Sequence, residues 1–182
     1  MALLAIMGMA LSGVMSVSEN GRVVTMASNG GVLTIERLDE QPLKLIQGYS
    51  GQLAGQFSVT SDADSIEITK IVFSPAGNIS GTVYRYPKLF PLTLKVGDEI
   101  ISSTDEWRRV GDSSALRATA RLAKPVVVDP DHPFLFDVLV DVSPWSAGKT
   151  FGLAIMGIGA ETIVEASMPA YSRTFRIFRR VF

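Results

Sequence analysis

From residue 22 onward, apolar and polar side chains alternate with a period of two, the pattern of strands buried on one face. In Val32–Arg37, Leu33 and Ile35 alternate with Thr34 and Glu36. Across residues 53–60, Leu53, Gly55, Phe57 and Val59 share one face, opposite Gln56, Ser58 and Thr60. Ile66 and Ile68 alternate with Glu67 and Thr69, and then the apolar phase slips to Ile71 and Phe73. A slip of this kind predicts a β-bulge or a strand that passes from one sheet to the other. Leu116, Ala118, Ala120 and Leu122 oppose Arg117, Thr119 and Arg121. Phe134, Phe136, Val138, Val140 and Val142 oppose Leu135, Asp137, Leu139 and Asp141. Phe151, Leu153 and Ile155 share a face, as do Phe175 and Ile177.

Turn residues separate these runs: Asn29-Gly30-Gly31, Pro75-Ala76-Gly77-Asn78, Gly111-Asp112, Asp129-Pro130-Asp131 and Ser143-Pro144. Seven or more short strands with turns every eight to twelve residues predict a β-sandwich with Greek-key connections. After residue 20 no amphipathic pattern runs for ten residues, so the body is expected to be all-β.

The head of the chain is different. Residues 1–18 (MALLAIMGMALSGVMSVS) carry no charge, and Glu19 is the first charged residue. As a helix this run would be roughly 27 Å long, close to the thickness of a bilayer's hydrocarbon core. A secretory signal peptide, a helix that sits in a membrane and then packs among copies of itself, and an internal core element all fit an apolar run of this length. A signal peptide would carry a positively charged start, which is missing. Gly8, Ser12 and Ser16 lie four apart and would put small residues on one helical face, where backbones approach closely. Gly8, Gly13 and the scarcity of β-branched residues favour helix over strand. The expected organisation is an apolar assembly or anchor segment at 1–20 and a β-sandwich domain at 21–182.

In its hydropathy the head resembles the N-terminal segment of type IV pilins, whose mature chains begin with a hydrophobic helix. The likeness covers about the first eighteen residues, and the Glu usual at the fifth mature position is here Ala5. It implies a subunit whose Met1, Leu3, Leu4, Ile6, Met7, Gly8, Leu11, Ser12, Val14, Met15 and Ser16 bind copies of itself in a helical homo-oligomer, with membrane contact before assembly. Across residues 32–180 the strand rhythm resembles the immunoglobulin-like sandwich modules of bacterial surface proteins. The residues that carry it are 53–60 (LAGQFSVT), 65–73 (SIEITKIVF), 81–86 (GTVYRY), 134–143 (FLFDVLVDVS), 148–155 (GKTFGLAI) and 173–178 (RTFRIF). The resemblance implies an extracellular or cell-surface structural or adhesive module, without the inter-sheet Cys pair of antibody domains.

Composition narrows the chemistry. A chain of 182 residues, 47% hydrophobic and with net charge −1, suits one folded domain with a core that needs no disulfide or metal. Seventeen basic against eighteen acidic residues argue against nucleic acid as a partner. With no Cys and only His132, thiol catalysis and multi-His metal sites are excluded. No cofactor is expected, and the balance leans away from an enzyme.

Several local motifs invite a sharper assignment. SPWSAGKT at residues 143–150 ends like a phosphate-binding loop, but Ser143 replaces the first glycine and a strand, not a helix, is expected to follow. A hairpin loop is the plainer expectation. Gly152, Gly157 and Gly159 lack dinucleotide-fingerprint spacing and belong to a strand and turn. His132, between Asp131 and Pro133, reads as part of a rigid surface loop. Asp62 with Asp64, and Asp129 with Asp131, offer carboxylates for Ca²⁺, although Asp in turns commonly caps its own backbone. Asn78-Ile79-Ser80 is a glycosylation triplet.

Trp107, Trp145, Tyr84, Tyr86 and Tyr171 are candidate sugar-stacking aromatics, with Trp107 and Trp145 the candidates to face a ligand, although a sandwich Trp more often packs in the core or at its rim. Arg173, Arg176, Arg179 and Arg180 crowd the C-terminus. They are expected either to decorate an edge strand or to meet acidic residues of a neighbouring subunit, with Asp137 and Asp141 as the candidates. The functional expectation is a self-assembling extracellular subunit; a tethered adhesive or carbohydrate-binding module is the alternative.

Overall fold

The computed structural model describes residues 23–27, 32–38, 44–62, 65–111, 115–160, 164–166 and 169–181, without the side chains of 23–27 and 164–166. The candidate assembly residues 1–16, the Asn29-Gly30-Gly31 turn, Asp64 and Asp112 lie outside the described residues.

The chain is mainly β. In order come β1 (Val23–Ala27), β2 (Val32–Arg37), β3 (Lys44–Ile46), β4 (Gln52–Ser61) and β5 (Ile66–Ala76). A short helix α1 (Ser80–Arg85) and a 3-10 turn (Pro87–Leu89) follow. Then come β6 (Leu92–Val96), β7 (Glu99–Thr104), β8 (Trp107–Arg109), β9 (Leu116–Val128) and β10 (Phe134–Val140). The last are β11 (Thr150–Ala160), β12 (Val164–Ala166), β13 (Ala170–Tyr171) and β14 (Phe175–Phe178).

One sheet has the order β12-β1-β2-β4-β10-β6-β7 and the other β3-β14-β11-β5-β9-β8, with β13 also paired to β11. One core joins them, an arrangement consistent with a β-sandwich. Leu33, Ile35, Phe57, Val59, Leu92, Leu94, Phe136 and Val138 enter it from the first sheet. Ile71, Phe73, Ala118, Ala120, Phe151, Leu153 and Ile177 enter from the second. Phe57, Phe73, Phe90 and Phe151 are among the largest fully buried side chains, and removing each from water contributes about 1.5–3 kcal/mol. Phe57 stacks on Phe136 at 5.7 Å between ring centroids, and Phe90 on Phe151 at 6.4 Å. Hydrogen bonds also tie the sheets, among them Ser102 Oγ of β7 donating to the Arg121 oxygen of β9 at 2.7 Å, Trp107 Nε1 of β8 to the Phe90 oxygen at 2.8 Å, and Gln52 Nε2 of β4 to the Ile46 oxygen of β3 at 2.7 Å.

The alternation read from the sequence survives in β2, β9, β10 and β14, whose inward residues are buried, apart from Leu122 of β9, which is half-buried. The phase slip in β5 is a bulge. Thr69 is skipped in the register with both β9 and β11, its Oγ1 donates to the Gly159 oxygen at 3.1 Å, and the strand stays in one sheet.

Four expectations are corrected. Leu53 does not share the core face of β4: the register with β10 slips at Ala54, which takes the buried place while Leu53 turns outward beside Leu139. Residues 81–86 form no strand; most of them belong to α1, which buries Thr82 and Val83. β14 is not an edge, because β3 covers it in parallel register from Arg176↔Lys44 to Phe178↔Ile46. The 143–150 loop is not a hairpin, since it carries the chain from β10 in one sheet to β11 in the other.

Candidate functional site

A surface feature tied by several hydrogen bonds lies where α1 meets the crossover between β10 and β11. Gly77 turns the chain out of β5 with φ +89, a conformation that favours glycine. A Cβ there would lie 2.6 Å from the Thr150 oxygen, so only glycine lets the backbones approach so closely. Asn78 and Thr150 then lock together. The Thr150 amide donates to Asn78 Oδ1 at 2.7 Å, the Asn78 amide to Thr150 Oγ1 at 3.1 Å, and the Ile79 amide to the Thr150 oxygen at 3.1 Å. These bonds fix the start of α1 against the start of β11.

The crossover is equally constrained. Ser143 and Ser146 are buried, Ser146 Oγ donates to the Ser143 oxygen at 2.8 Å, and the Trp145 amide donates to Ser143 Oγ at 3.3 Å. The Gly148 amide donates to the Ile177 oxygen at 2.9 Å, and the Ile177 amide to the Lys149 oxygen at 2.8 Å, pinning the loop to β14. Lys149 Nζ donates to Thr82 Oγ1, reaching back to α1.

On this frame Trp145 stands 67% exposed. Its ring lies 5.8 Å from that of Tyr86, inclined at 51°. The two rings border an open cleft of about 320 Å³ lined by Asn78, Gly81, Thr82, Arg85, Tyr86, Trp145 and Lys149. Two cationic side chains and no carboxylate line it. Chemically, an exposed aromatic pair offers rings for stacking, and the cationic side chains beside it offer N–H donors.

The two tryptophans part company. Trp107 is only 6% exposed and belongs to the core, the commoner place for a sandwich Trp, with its indole N–H satisfied inside the protein. Its charged neighbour Arg108 points outward from the strand, which is why local charge did not keep the indole at the surface. Trp145 is exposed as expected. Tyr84 carries the Arg109 guanidinium 4.1 Å above its ring, and Tyr171 is exposed on β13. The pairing of Tyr86 with Trp145, 59 positions apart in the chain, is invisible in the sequence.

The remaining candidates disperse. Arg176, Arg179 and Arg180 are exposed and Arg173 half-buried; Arg176 lies 5.9 Å from the Phe178 ring centre and Arg180 5.0 Å from that of Tyr49. Asp137 Oδ1 accepts from Gln56 Nε2 at 2.8 Å, and Asp141 Oδ1 accepts from the Gly51 amide at 2.7 Å. Both acids therefore already serve their own chain. Asp129 Oδ1 accepts from the Asp131 amide at 2.8 Å and the His132 amide at 2.7 Å, and His132 Nδ1 lies 3.0 Å from both its oxygens. The hydrogen bond from the His132 side chain holds the Asp129 carboxyl below its usual range. Asp62 accepts from the Val32 amide. Among the described residues, no three His, Asp or Glu side chains gather as a metal site. Gly152, Gly157 and Gly159 lie within β11, and Lys149 immediately precedes it, so no helix follows the Gly-Lys-Thr triplet.

No family model matches this chain, and no curated protein matches it in sequence.

Proposed function

We propose that this protein is an extracellular structural subunit that assembles into a pilus-like filament through its apolar head and displays its β body outward. The observation that carries this is the segregation of charge: all seventeen basic and all eighteen acidic residues lie from Glu19 onward, leaving residues 1–18 wholly uncharged. Excluding such a segment from water contributes on the order of 10 kcal/mol per subunit at about 25 cal/mol per Å², partly offset by ordering. The immunoglobulin-like, Greek-key assignment belongs to the same proposal, supported by two largely antiparallel sheets over one core. The test is a charge placed in the head of the full chain. Leu11→Glu is expected to leave a folded protein that sediments as a monomer where the wild type sediments as large assemblies. Equal assembly by both proteins would refute the proposal.

A second reading has its own observation. The Trp145–Tyr86 platform over a cation-lined cleft favours an adhesive, carbohydrate-binding module tethered by the same head. It predicts glycan retention that survives removal of residues 1–18 and disappears in Trp145→Ala. A filament subunit without this activity would retain no glycan in either form.

A further inference from the structure

On the outward face of the second sheet, like charges sit directly opposite one another. Arg108 of β8 is paired in register with Arg117 of β9, and Arg121 of β9 with Lys70 of β5. All four side chains are exposed. Directly opposed like charges on neighbouring strands are destabilising, so this arrangement works against the fold that contains it. Along β9, Arg117 and Arg121 are separated by about 13 Å on the same face, at roughly 3.3 Å per residue.

The face is built to hold these charges out. The side chains of Arg117, Arg121 and Lys70 have no hydrogen-bond or ion-pair partner among the described residues. Only Arg108 is neutralised: its Nε donates to Glu106 Oε2 at 3.1 Å, and its Nη2 reaches the same oxygen. Lys70 extends across β11, its stem lying where a Cβ of Gly159 would otherwise stand, 2.3–2.9 Å from three of its carbons. Beside these residues is an open cleft of about 210 Å³ whose lining includes Arg108, Arg109, Arg117, Arg121 and a single carboxylate, Glu106.

We infer that this strip, from Arg108 through Arg117 and Arg121 to Lys70, binds an anionic polysaccharide. Guanidinium forks take carboxylate, sulfate or phosphate oxygens two at a time, and a chain with regularly spaced oxyanions meets several of them at once. The opposed cations would then be separated by the ligand's charge, which relieves the repulsion that the free protein carries. The inference stands apart from the Trp145 cleft and from the filament proposal.

The test measures binding of heparin, hyaluronate, polyphosphate and neutral dextran to the full chain by calorimetry, at low and moderate salt. Wild type is expected to bind heparin or hyaluronate more tightly than polyphosphate and not to bind dextran. Arg117→Ser with Arg121→Ser is expected to weaken that binding about tenfold or more and flatten its salt dependence, as losing two ionic contacts should. The same variant is expected to melt no lower than wild type, because it removes two repulsive pairs. Retained affinity, or a lowered melting temperature, would overturn the inference. A short DNA duplex bound more tightly than either glycan would overturn the choice of polysaccharide, as would polyphosphate preferred over both.

Discussion

Trp107 Nε1 donates to the main-chain oxygen of Phe90 at 2.8 Å, joining β8 in one sheet to the residues that lead into β6 in the other. Phe90 is itself fully buried and stacks on Phe151 across the core. The bond therefore fixes how the two sheets meet at this end of the molecule. Trp107→Phe keeps much of the apolar bulk but leaves the Phe90 oxygen without this donor, which should cost about 1–3 kcal/mol. Urea unfolding of the two proteins checks this; equal midpoints would show that the bond is dispensable.

At Gly77 two penalties coincide. A Cβ would meet the Thr150 oxygen at 2.6 Å, and φ is +89. Gly77→Ala should destabilise the protein by roughly 1–3 kcal/mol and loosen α1 from β11. Thermal melting reads the first effect, and faster amide exchange at Asn78 and Ile79 reads the second.

Trp145 offers the opposite case. With two-thirds of its surface in solvent, Trp145→Ala should change stability by no more than about 0.5 kcal/mol. In a carbohydrate-binding module it should nonetheless abolish retention on a glycan column. A large loss of stability would show that the ring is structural instead.

Asp129 supplies a prediction in pH. Its folded pKa lies below the unfolded value because His132 and two backbone amides bond the ionised carboxylate. The stabilisation is therefore present above the unfolded pKa and lost as pH falls through the folded one. The stability difference between wild type and Asp129→Asn should shrink on acidification below about pH 4, the ordinary range for Asp. Carboxyl NMR should show the Asp129 midpoint moving up in His132→Ala; an unmoved midpoint would remove His132 as the cause.

How much of this was legible in the sequence depended on the range of the interaction. The alternation in Phe134 to Val142 is local, so β10 and its buried face followed directly. The phase slip after Ile68 located the bulge at Thr69 for the same reason. Residues 81–86 misled because six residues are too few to separate a period of 2 from one of 3.6. The covering of β14 by β3 was hidden because parallel pairing joins segments more than 130 positions apart and leaves no short-range signal. The charged neighbours of Trp107 kept it a ligand-facing candidate beside the core reading, and the alternation that turns Arg108 outward decides for the core. At the candidate site, the sequence offered Tyr86 and Trp145 as separate exposed aromatics. Only the crossover between sheets brings their rings together.

The central claim is that residues 1–18 drive self-assembly, and negative-stain electron microscopy tests it most directly. Full-length protein should form regular fibres, while a chain lacking residues 1–18 should give only folded particles of monomer size. Full-length protein that stays as dispersed monomers indistinguishable from the truncated chain would contradict the claim.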